Sequence, residues 1–265
     1  MDSIIPLEDR QSLFIFRNDQ SQAEHNLEEI DLLVIWLNKP LVGSEEIIPK
    51  MWRKKSQVII GTKENKLSLS RYFLMKTAEI LEINIEQNII EELDEEKLAS
   101  LSIKKEWLEE AENFFLSLKG CPYAVIHPGS GGHAKRWPLE NFLKLVNIFA
   151  DMKINGVFIT GPAEESYCPT LSAVNWPIGW FWINQPSLTV IAALLAKSTF
   201  YIGNDSGITH LAALCGCPGL AFYKKENIPL WLPYSRRIKV IEALDVGEIG
   251  VELVCQEIKK IFEER

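Results

Sequence analysis

The chain has 265 residues, and a prior of about 100–200 residues per domain favours two domains. Apolar residues make up 47% of it, which is enough to bury a sizeable core. Its net charge of −8 argues against a general nucleic-acid binder, because neutralising phosphates requires an excess of Lys and Arg.

The chain begins with an acidic segment that lacks the basic head and apolar run of a signal peptide. It contains no run of about 18 apolar residues, so no transmembrane span is expected. The five cysteines show no paired C-x-x-C spacing, so neither a zinc site nor a disulfide framework is expected. The reducing cytoplasm fits this cysteine usage best, and peripheral contact at the inner face of the cytoplasmic membrane is left open.

The first part of the sequence mixes strand and helix patterns. Residues 30–37 and 57–61 are short apolar runs, which are typical of buried parallel strands. Residues 68–81 carry apolar side chains three or four apart, which predicts a helix.

An amphipathic helix is predicted over residues 103–118, with aromatic and apolar residues on one face and Lys and Glu on the other. Lys119 and Gly120 are expected to end it, and Pro122 prevents its continuation. We place a domain boundary here, which gives a first domain over 1–118 and a second over 119–265.

The second domain alternates regularly between strand and helix patterns. Strands are predicted over 123–127, 156–160, 200–203, 219–223 and 238–241, and helices over 138–151, 187–196, 207–215 and 246–262. This alternation predicts an α/β fold with a doubly wound parallel sheet. In such sheets ligands bind outside the carboxyl ends of the strands, so the loops at those ends are the candidate sites.

The loop over residues 127–137 connects a strand to a helix and contains three glycines, which allow the backbone to approach a ligand closely. Ser130 offers a hydroxyl, and Lys135 and Arg136 supply positive charge. These features predict a phosphate cradle, although the spacing differs from that of the nucleotide-hydrolase P-loop. The alternative is a flexible loop with surface charges.

The loop over residues 203–210 also connects a strand to a helix. Asp205 or Ser206 could cap that helix, and the N–H groups and dipole at its N-terminus favour an anion. His210 would then lie near the end of the first turn, on the side of the same anion. The alternative is an ordinary capped helix with a core histidine.

Both loops belong to one sheet, and a diphosphate that bridges them would explain both. A third loop, over residues 161–165, also follows a strand and contains Glu164 and Glu165, and a carboxylate there could accept hydrogen bonds from the diol of a ribose. The alternative is an acidic first helical turn that the helix dipole favours.

These loops together resemble those of glycosyltransferase family 9, the lipopolysaccharide heptosyltransferases. The resemblance is carried by HPGSGGHAKRWPLENF at 127–142, GPAEE at 161–165, GNDSGITHLAALCGCP at 203–218 and a W-x-P element at 231–233. It implies a GT-B-like fold of two facing Rossmann-like domains with parallel sheets, of which the C-terminal one binds the donor.

The resemblance also implies an inverting, cytoplasmic glycosyltransferase of lipopolysaccharide biosynthesis that uses no cofactor and no essential metal. It would move a heptose or related sugar from an ADP-sugar to a lipid-linked saccharide acceptor. Its partners would thus be a nucleotide-diphosphate sugar and that acceptor, without nucleic acid.

By the same resemblance, the donor-binding residues are Gly129, Ser130, Gly131, Lys135, Glu164, Asp205, Ser206, Gly207 and His210. Lys135 would neutralise the diphosphate, residues 206–207 would bind it at the helix N-terminus, and Glu164 would hold the ribose. Asp205 and His210 would contact donor phosphate or sugar.

The front of the chain departs from the family pattern. The family begins with a strand, a loop that contains Gly and Asp, and a helix, and the aspartate is its expected general base. Here residues 4–8 resemble the family's second strand region, so we expect the first domain to lack its opening strand–helix unit. The catalytic residue is therefore left unassigned. Two alternatives to transfer stay open, namely a non-catalytic nucleotide-sugar-binding remnant and another GT-B enzyme that uses a UDP-sugar.

Overall fold

The computed structural model describes residues 33–37, 56–60, 69–83, 101–233 and 235–263. The chain divides into two compact units, Met1–Glu92 and Leu93–Arg265. In the first unit, β1 (Leu33–Leu37) and β2 (Ser56–Ile60) pair in parallel, and α1 (Leu69–Ile80) follows them in the chain. The described part of this unit is therefore of the α/β type, and the predicted residues 30–32 and 61 lie outside it.

The second unit contains the strands β3 (Tyr123–His127), β4 (Asn155–Thr160), β5 (Trp180–Asn184), β6 (Phe200–Asn204), β7 (Gly219–Lys224) and β8 (Ile238–Ala243). They form one six-stranded parallel sheet in the order β5-β4-β3-β6-β7-β8. The chain builds outwards from β3 to β5, then crosses back and builds from β6 to β8. The strand order thus reverses between β3 and β6, where open α/β sheets bind ligands.

The helices of the second unit are α2 (Lys105–Glu110), α3 (Glu112–Ser117), α4 (Leu139–Asp151), α5 (Cys168–Ser172), α6 (Leu188–Lys197), α7 (Gly207–Leu214), α8 (Ile228–Trp231) and α9 (Val251–Glu263). Short 3₁₀ turns cover His133–Lys135, Pro162–Tyr167, Lys225–Asn227 and Val246–Glu248. None of the helices in the described ranges has both the length and the apolar character needed to span a bilayer.

Both faces of the six-stranded sheet are buried. Along β3, Ala124 and Ile126 belong to one hydrophobic cluster, whereas Tyr123 and Val125 belong to a second. The first cluster includes residues of α4 and α9, and the second includes residues of α6 and α7. Because both faces are covered, the strands are continuous apolar runs and do not alternate between apolar and polar residues. For this reason most of them could be predicted from the sequence.

The predicted α/β class and the parallel sheet are confirmed. Strand β3 has the predicted bounds, and β4, β6, β7 and β8 are longer than predicted by one or two residues. The closing helix is shorter than predicted, because residues 246–248 form a 3₁₀ turn and α9 begins at Val251.

Strand β5, at the edge of the sheet, was not predicted from the sequence. Its sequence, WFWIN, carries three aromatic residues, and Phe181 and Trp182 are only half-buried. An edge strand pairs on one side alone, so its composition resembles a short apolar loop more than a buried central strand.

The helix predicted over 103–118 consists of two helices, α2 and α3, separated at Ala111. It is part of the second compact unit, whereas we assigned it to the first domain. Ala111 and Leu118 lie in the same hydrophobic cluster as Tyr123 of β3. Glu110 also accepts hydrogen bonds, at 2.7 and 2.6 Å, from two hydroxyls at the start of α6. The compact units therefore divide earlier than the boundary we placed after Leu118.

Candidate functional site

A cavity of about 450 Å³ lies at the edge of the sheet where the parallel strands end. Its walls come from the ends of β3 and β4, the segment after β5, and the starts of α6 and α7. The polar side chains in its wall belong to His127, Ser130, Thr160, Glu164, Gln185 and Ser206. The cavity therefore lies beside the reversal of strand order, as the sheet topology predicts.

The loops that follow β3 and β6 are joined by buried hydrogen bonds. The Ser130 hydroxyl donates to the carbonyl of Asp205 at 2.7 Å. The side-chain amide of Asn204, which is fully buried, donates to the carbonyl of Pro128 at 2.7 Å and accepts from the N–H of Trp137 at 3.0 Å. The two loops that we expected to share one ligand are thus adjacent.

Helix α7 begins at the cavity wall, where Ser206, Gly207 and Ile208 line the cavity. Neither Asp205 nor Ser206 caps the helix with its side chain, which corrects our expectation. The buried Ser206 hydroxyl makes no hydrogen bond of good geometry. The Asp205 carboxylate is directed instead to Lys135 and Asn227. The N-terminal N–H groups of α7 thus lack a side-chain cap at the place where an anion would be favoured.

Lys135 lies beside this helix N-terminus in an ion pair. Its ammonium nitrogen is 2.8 Å from the Oδ2 atom of Asp205, and the Asn227 amide donates to the same oxygen at 2.8 Å. The Asp205 side chain is 6% exposed, whereas that of Lys135 is 34% exposed. The lysine therefore keeps access to solvent while its charge is balanced by a buried carboxylate.

Arg136 has a different position from its neighbour Lys135, although both were predicted to supply positive charge to one phosphate cradle. Its side chain is buried, and its Nε and Nη2 atoms donate to the carbonyl of Ser130 at 2.9 and 2.7 Å. Nη2 also donates to the carbonyl of Ala163 at 3.1 Å. Arg136 therefore contacts the loop backbone, and it is not part of the cavity wall.

Glu164 lies in the cavity wall on the 3₁₀ turn that follows β4. Its Oε2 atom accepts from the N–H of Gly161 at 2.8 Å and lies 3.6 Å from Nε2 of His127. Its Oε1 atom lies 3.8 Å from the guanidinium of Arg136. Burial alone would raise the pKa of Glu164, but its contacts with His127, the Gly161 N–H and the Arg136 charge together lower it. Glu164 is therefore a buried carboxylate held in its ionised form.

We expect Glu164→Gln to lower the free energy of unfolding by about 1–3 kcal/mol at neutral pH, because charge-assisted hydrogen bonds are lost. The folded-state pKa of Glu164 is lowered, so its ionised form adds stability above the unfolded-state pKa. That stability is lost as pH falls through the folded-state pKa. Urea unfolding from neutral to acidic pH should show the difference between the variant and the parent shrinking. The exposed neighbour Glu165, changed in the same way, is the control, and a pH-independent difference would contradict the assignment.

Gly129 allows this carboxylate to approach the loop. A Cβ atom at residue 129 would lie 2.3 Å from the carboxyl carbon of Glu164, whereas a Cβ atom at Gly131 would meet no atom within 4 Å. We therefore expect Gly129→Ala to cost about 1–3 kcal/mol through overpacking and Gly131→Ala to cost far less. Thermal and urea unfolding of the two variants compare the same substitution two residues apart. Equal losses would contradict this view of Gly129.

The last predicted site residue, His210, is on α7 and, like Gly129, Lys135 and Asp205, is not in the cavity wall. Burial lowers the pKa of His210, and the nearby Asp205 carboxylate opposes this effect. A neutral imidazole is thus favoured at neutral pH, so His210 would act on a ligand through a hydrogen bond instead of a positive charge.

Several residues of this site were not predicted from the sequence. His127 and Thr160 are the last residues of β3 and β4, and their positions at strand ends could have indicated them. Gln185 follows β5, the strand that was not predicted, and its N–H donates to the carbonyl of Thr160 at 2.7 Å. Asn227, the partner of Asp205, lies more than twenty residues further along the chain, and no local signal indicates it.

Within the described residues, no group of three His, Cys, Asp or Glu side chains could hold a metal ion. The groups available to a ligand in the cavity are therefore a helix N-terminus, a carboxylate, hydroxyls and an imidazole, with a lysine beside them. Such groups can form hydrogen bonds with a diphosphate and a sugar diol.

The chain also matches the model of a protein family. Residues 83–255 match the model of a family described as glycosyltransferase family 9 (heptosyltransferase). The match includes every loop that contributes to the cavity.

Two curated proteins are similar to the chain. Lipopolysaccharide core heptosyltransferase OpsX of Haemophilus influenzae is 25% identical over 123 residues, which are 46% of this chain and 35% of that protein. Lipopolysaccharide heptosyltransferase 1 of Escherichia coli O18:K1:H7 is 27% identical over 146 residues, which are 54% of this chain and 43% of that protein. The chain thus spans less than half the length of these relatives.

The fold is similar to that of a solved heptosyltransferase. The structure of the E. coli ADP-heptose lipopolysaccharide heptosyltransferase II superimposes with a TM-score of 0.55 and 22% sequence identity. The superposition covers 62% of this chain and 54% of that one. At this level of identity the likeness shows the fold, which is of the GT-B type.

Proposed function

Because the family model covers more than half of it, the chain belongs to glycosyltransferase family 9, and from this premise we propose that its second unit binds the nucleotide-sugar donor of a heptosyltransferase reaction. The donor would be ADP-heptose or a related ADP-sugar. The acceptor would be a saccharide of the lipopolysaccharide-core type attached to a lipid.

The observation that carries this proposal is the junction of two loops beside one helix N-terminus. Ser130 and Asp205 join the loops through a hydrogen bond, and Lys135 lies beside the start of α7. A diphosphate placed there would accept hydrogen bonds from the uncapped N–H groups of α7 and would share Lys135 with Asp205. The ribose of the same ligand would reach Glu164 across the cavity.

The reaction would be a direct displacement at the anomeric carbon with inversion. The acceptor hydroxyl oxygen forms the new bond, the bond from the anomeric carbon to the diphosphate oxygen breaks, and a base takes the hydroxyl proton. Negative charge then develops on the departing diphosphate. Lys135 and the N-terminus of α7 would stabilise that charge, which is electrostatic catalysis by fixed groups. We assign no residue as the base.

We also propose that the protein works in the cytoplasm. A lipid-linked acceptor would lie at a membrane, so the protein would contact the inner face of the cytoplasmic membrane peripherally. The net charge of −8 implies that such contact would need a local surface and not the whole chain.

Isothermal calorimetry with ADP, ADP-heptose and UDP, together with a transfer assay on a lipopolysaccharide-core acceptor, tests the proposal. We expect binding of ADP and ADP-heptose, weak binding of UDP, and transfer. Binding of ADP-heptose without transfer would favour a non-catalytic nucleotide-sugar binder. Preference for UDP would favour another GT-B enzyme, and the absence of nucleotide binding would refute the donor site.

A further inference from the structure

Arg136 lies between two of the loops that form the cavity. Its side chain is only 7% exposed, and its guanidinium faces the carbonyl of Ser130 on the β3 loop and that of Ala163 on the β4 loop. Ser130 and Ala163 are both in the cavity wall, whereas Arg136 lies behind it. One side chain thus joins two walls of the cavity from outside.

The same guanidinium also faces the cavity's buried carboxylate. Nη2 of Arg136 is 3.8 Å from Oε1 of Glu164, and the guanidinium carbon lies 5.7 Å from the ring centroid of Tyr167. Glu164 and Tyr167 belong to the same 3₁₀ turn. Nη1 is buried without a hydrogen-bond partner, so the cation is retained in this place although one of its donors is unsatisfied.

We propose that Arg136 is a positioning residue that fixes the separation of the β3 and β4 loops and aims the Glu164 carboxylate at the ribose diol of the donor. This inference rests on the proposed donor site. The two neighbouring cations would then have different roles. Lys135 would bind the diphosphate, whereas Arg136 would act through the two loops and through Glu164.

The geometry of the arginine side chain suits this task. A guanidinium donates from several nitrogens in one plane, so it can hold two carbonyls and a carboxylate at fixed directions at once. A lysine at residue 136 would keep the positive charge but would offer a single flexible nitrogen. Replacing the planar guanidinium should therefore make the orientation of Glu164 less fixed, even when the positive charge is kept.

The test compares the affinities of Arg136→Met, Arg136→Lys and the parent protein for ADP and for 2′,3′-dideoxy-ADP, which lacks the ribose diol, measured by calorimetry. We expect Arg136→Met to weaken ADP binding about tenfold, as for the loss of one charge-assisted hydrogen bond. Its affinity for the dideoxy nucleotide should change much less, so the preference for ADP over that nucleotide should fall. The preference of Arg136→Lys for ADP should lie between that of the parent and that of Arg136→Met. If Arg136→Met does not fold, the same fall in preference is expected for Arg136→Lys.

Arg237 provides a matched control. It is an exposed arginine that donates to the carbonyl of Gly216 at 3.3 Å, at the opposite edge of the sheet. Arg237→Met should leave both affinities unchanged.

The outcomes distinguish this inference from the proposed function. Weaker binding of both nucleotides by Arg136→Met with an unchanged preference would show a merely structural role and would overturn the positioning role. Unchanged affinities would overturn it as well. Failure of the parent protein to bind ADP would instead refute the donor site itself.

Discussion

Replacing Lys135 with alanine should weaken ADP binding by about ten- to a hundredfold, the range expected for a lost hydrogen bond between charged groups. Lys135 is the cation beside the N-terminus of α7, and a third of its side chain is exposed. A diphosphate bound there would lose its closest positive charge. The fold should survive, because Asp205 keeps its hydrogen bond from Asn227.

A comparison of ADP with adenosine tests whether Lys135 acts on the phosphates. Adenosine carries no phosphate, so its affinity should be the same for Lys135→Ala and for the parent protein. Lys144→Ala, which removes an exposed lysine on α4, is the control for general loss of positive charge. The affinities of the parent protein, Lys135→Ala and Lys144→Ala for ADP and for adenosine can be measured by calorimetry. Unchanged ADP affinity in Lys135→Ala would remove Lys135 from the site.

Replacing Trp137 with alanine should destabilise the protein by about 3–5 kcal/mol, as for other fully buried aromatic residues. Trp137 has no exposed surface, and its ring lies 4.9 Å from that of Phe142 and 4.6 Å from that of Phe222. Its indole N–H donates to the carbonyl of Ile249 at 2.7 Å. One side chain thus connects the β3 loop with α4, β7 and the segment before α9.

Trp137→Phe separates packing from hydrogen bonding. Phenylalanine fills most of the space, but it leaves the Ile249 carbonyl without its donor, so a loss of about 1–3 kcal/mol is expected. Urea unfolding followed by far-UV circular dichroism measures both variants. A larger loss for Trp137→Phe than for Trp137→Ala would show that the ring contacts do not dominate.

The central strands of the second unit could be predicted because their chemistry is local. In β3 a run of apolar residues lies between Pro122 and Pro128, and both its length and its composition indicate a buried strand. The glycine-rich loop after it and the loop at Asp205 follow directly from such strand ends. The fold class and the position of the cavity could therefore be predicted from sequence patterns only a few residues long.

The arrangement within the site depends on residues far apart in the chain. Lys135 and Arg136 are adjacent in the chain. No local sequence pattern shows that Lys135 is partly exposed and paired with Asp205, or that Arg136 is buried. Arg136 donates to the carbonyl of Ser130, which is close in the chain, but also to that of Ala163, 27 residues away on the loop after β4. Tertiary contacts, which local propensity does not encode, determine the exposure and the contacts of each cation.

From the steric conflict between them, we expect Gly129 and Glu164 to constrain each other's replacement during evolution. A side chain at residue 129 would collide with the carboxylate at residue 164, so the order in which mutations arise at the two positions matters. Shortening Glu164 first would open space for alanine at residue 129, whereas the reverse order passes through a strained intermediate. Lineages that keep the glutamate should therefore keep the glycine, and loss of the first should release the second.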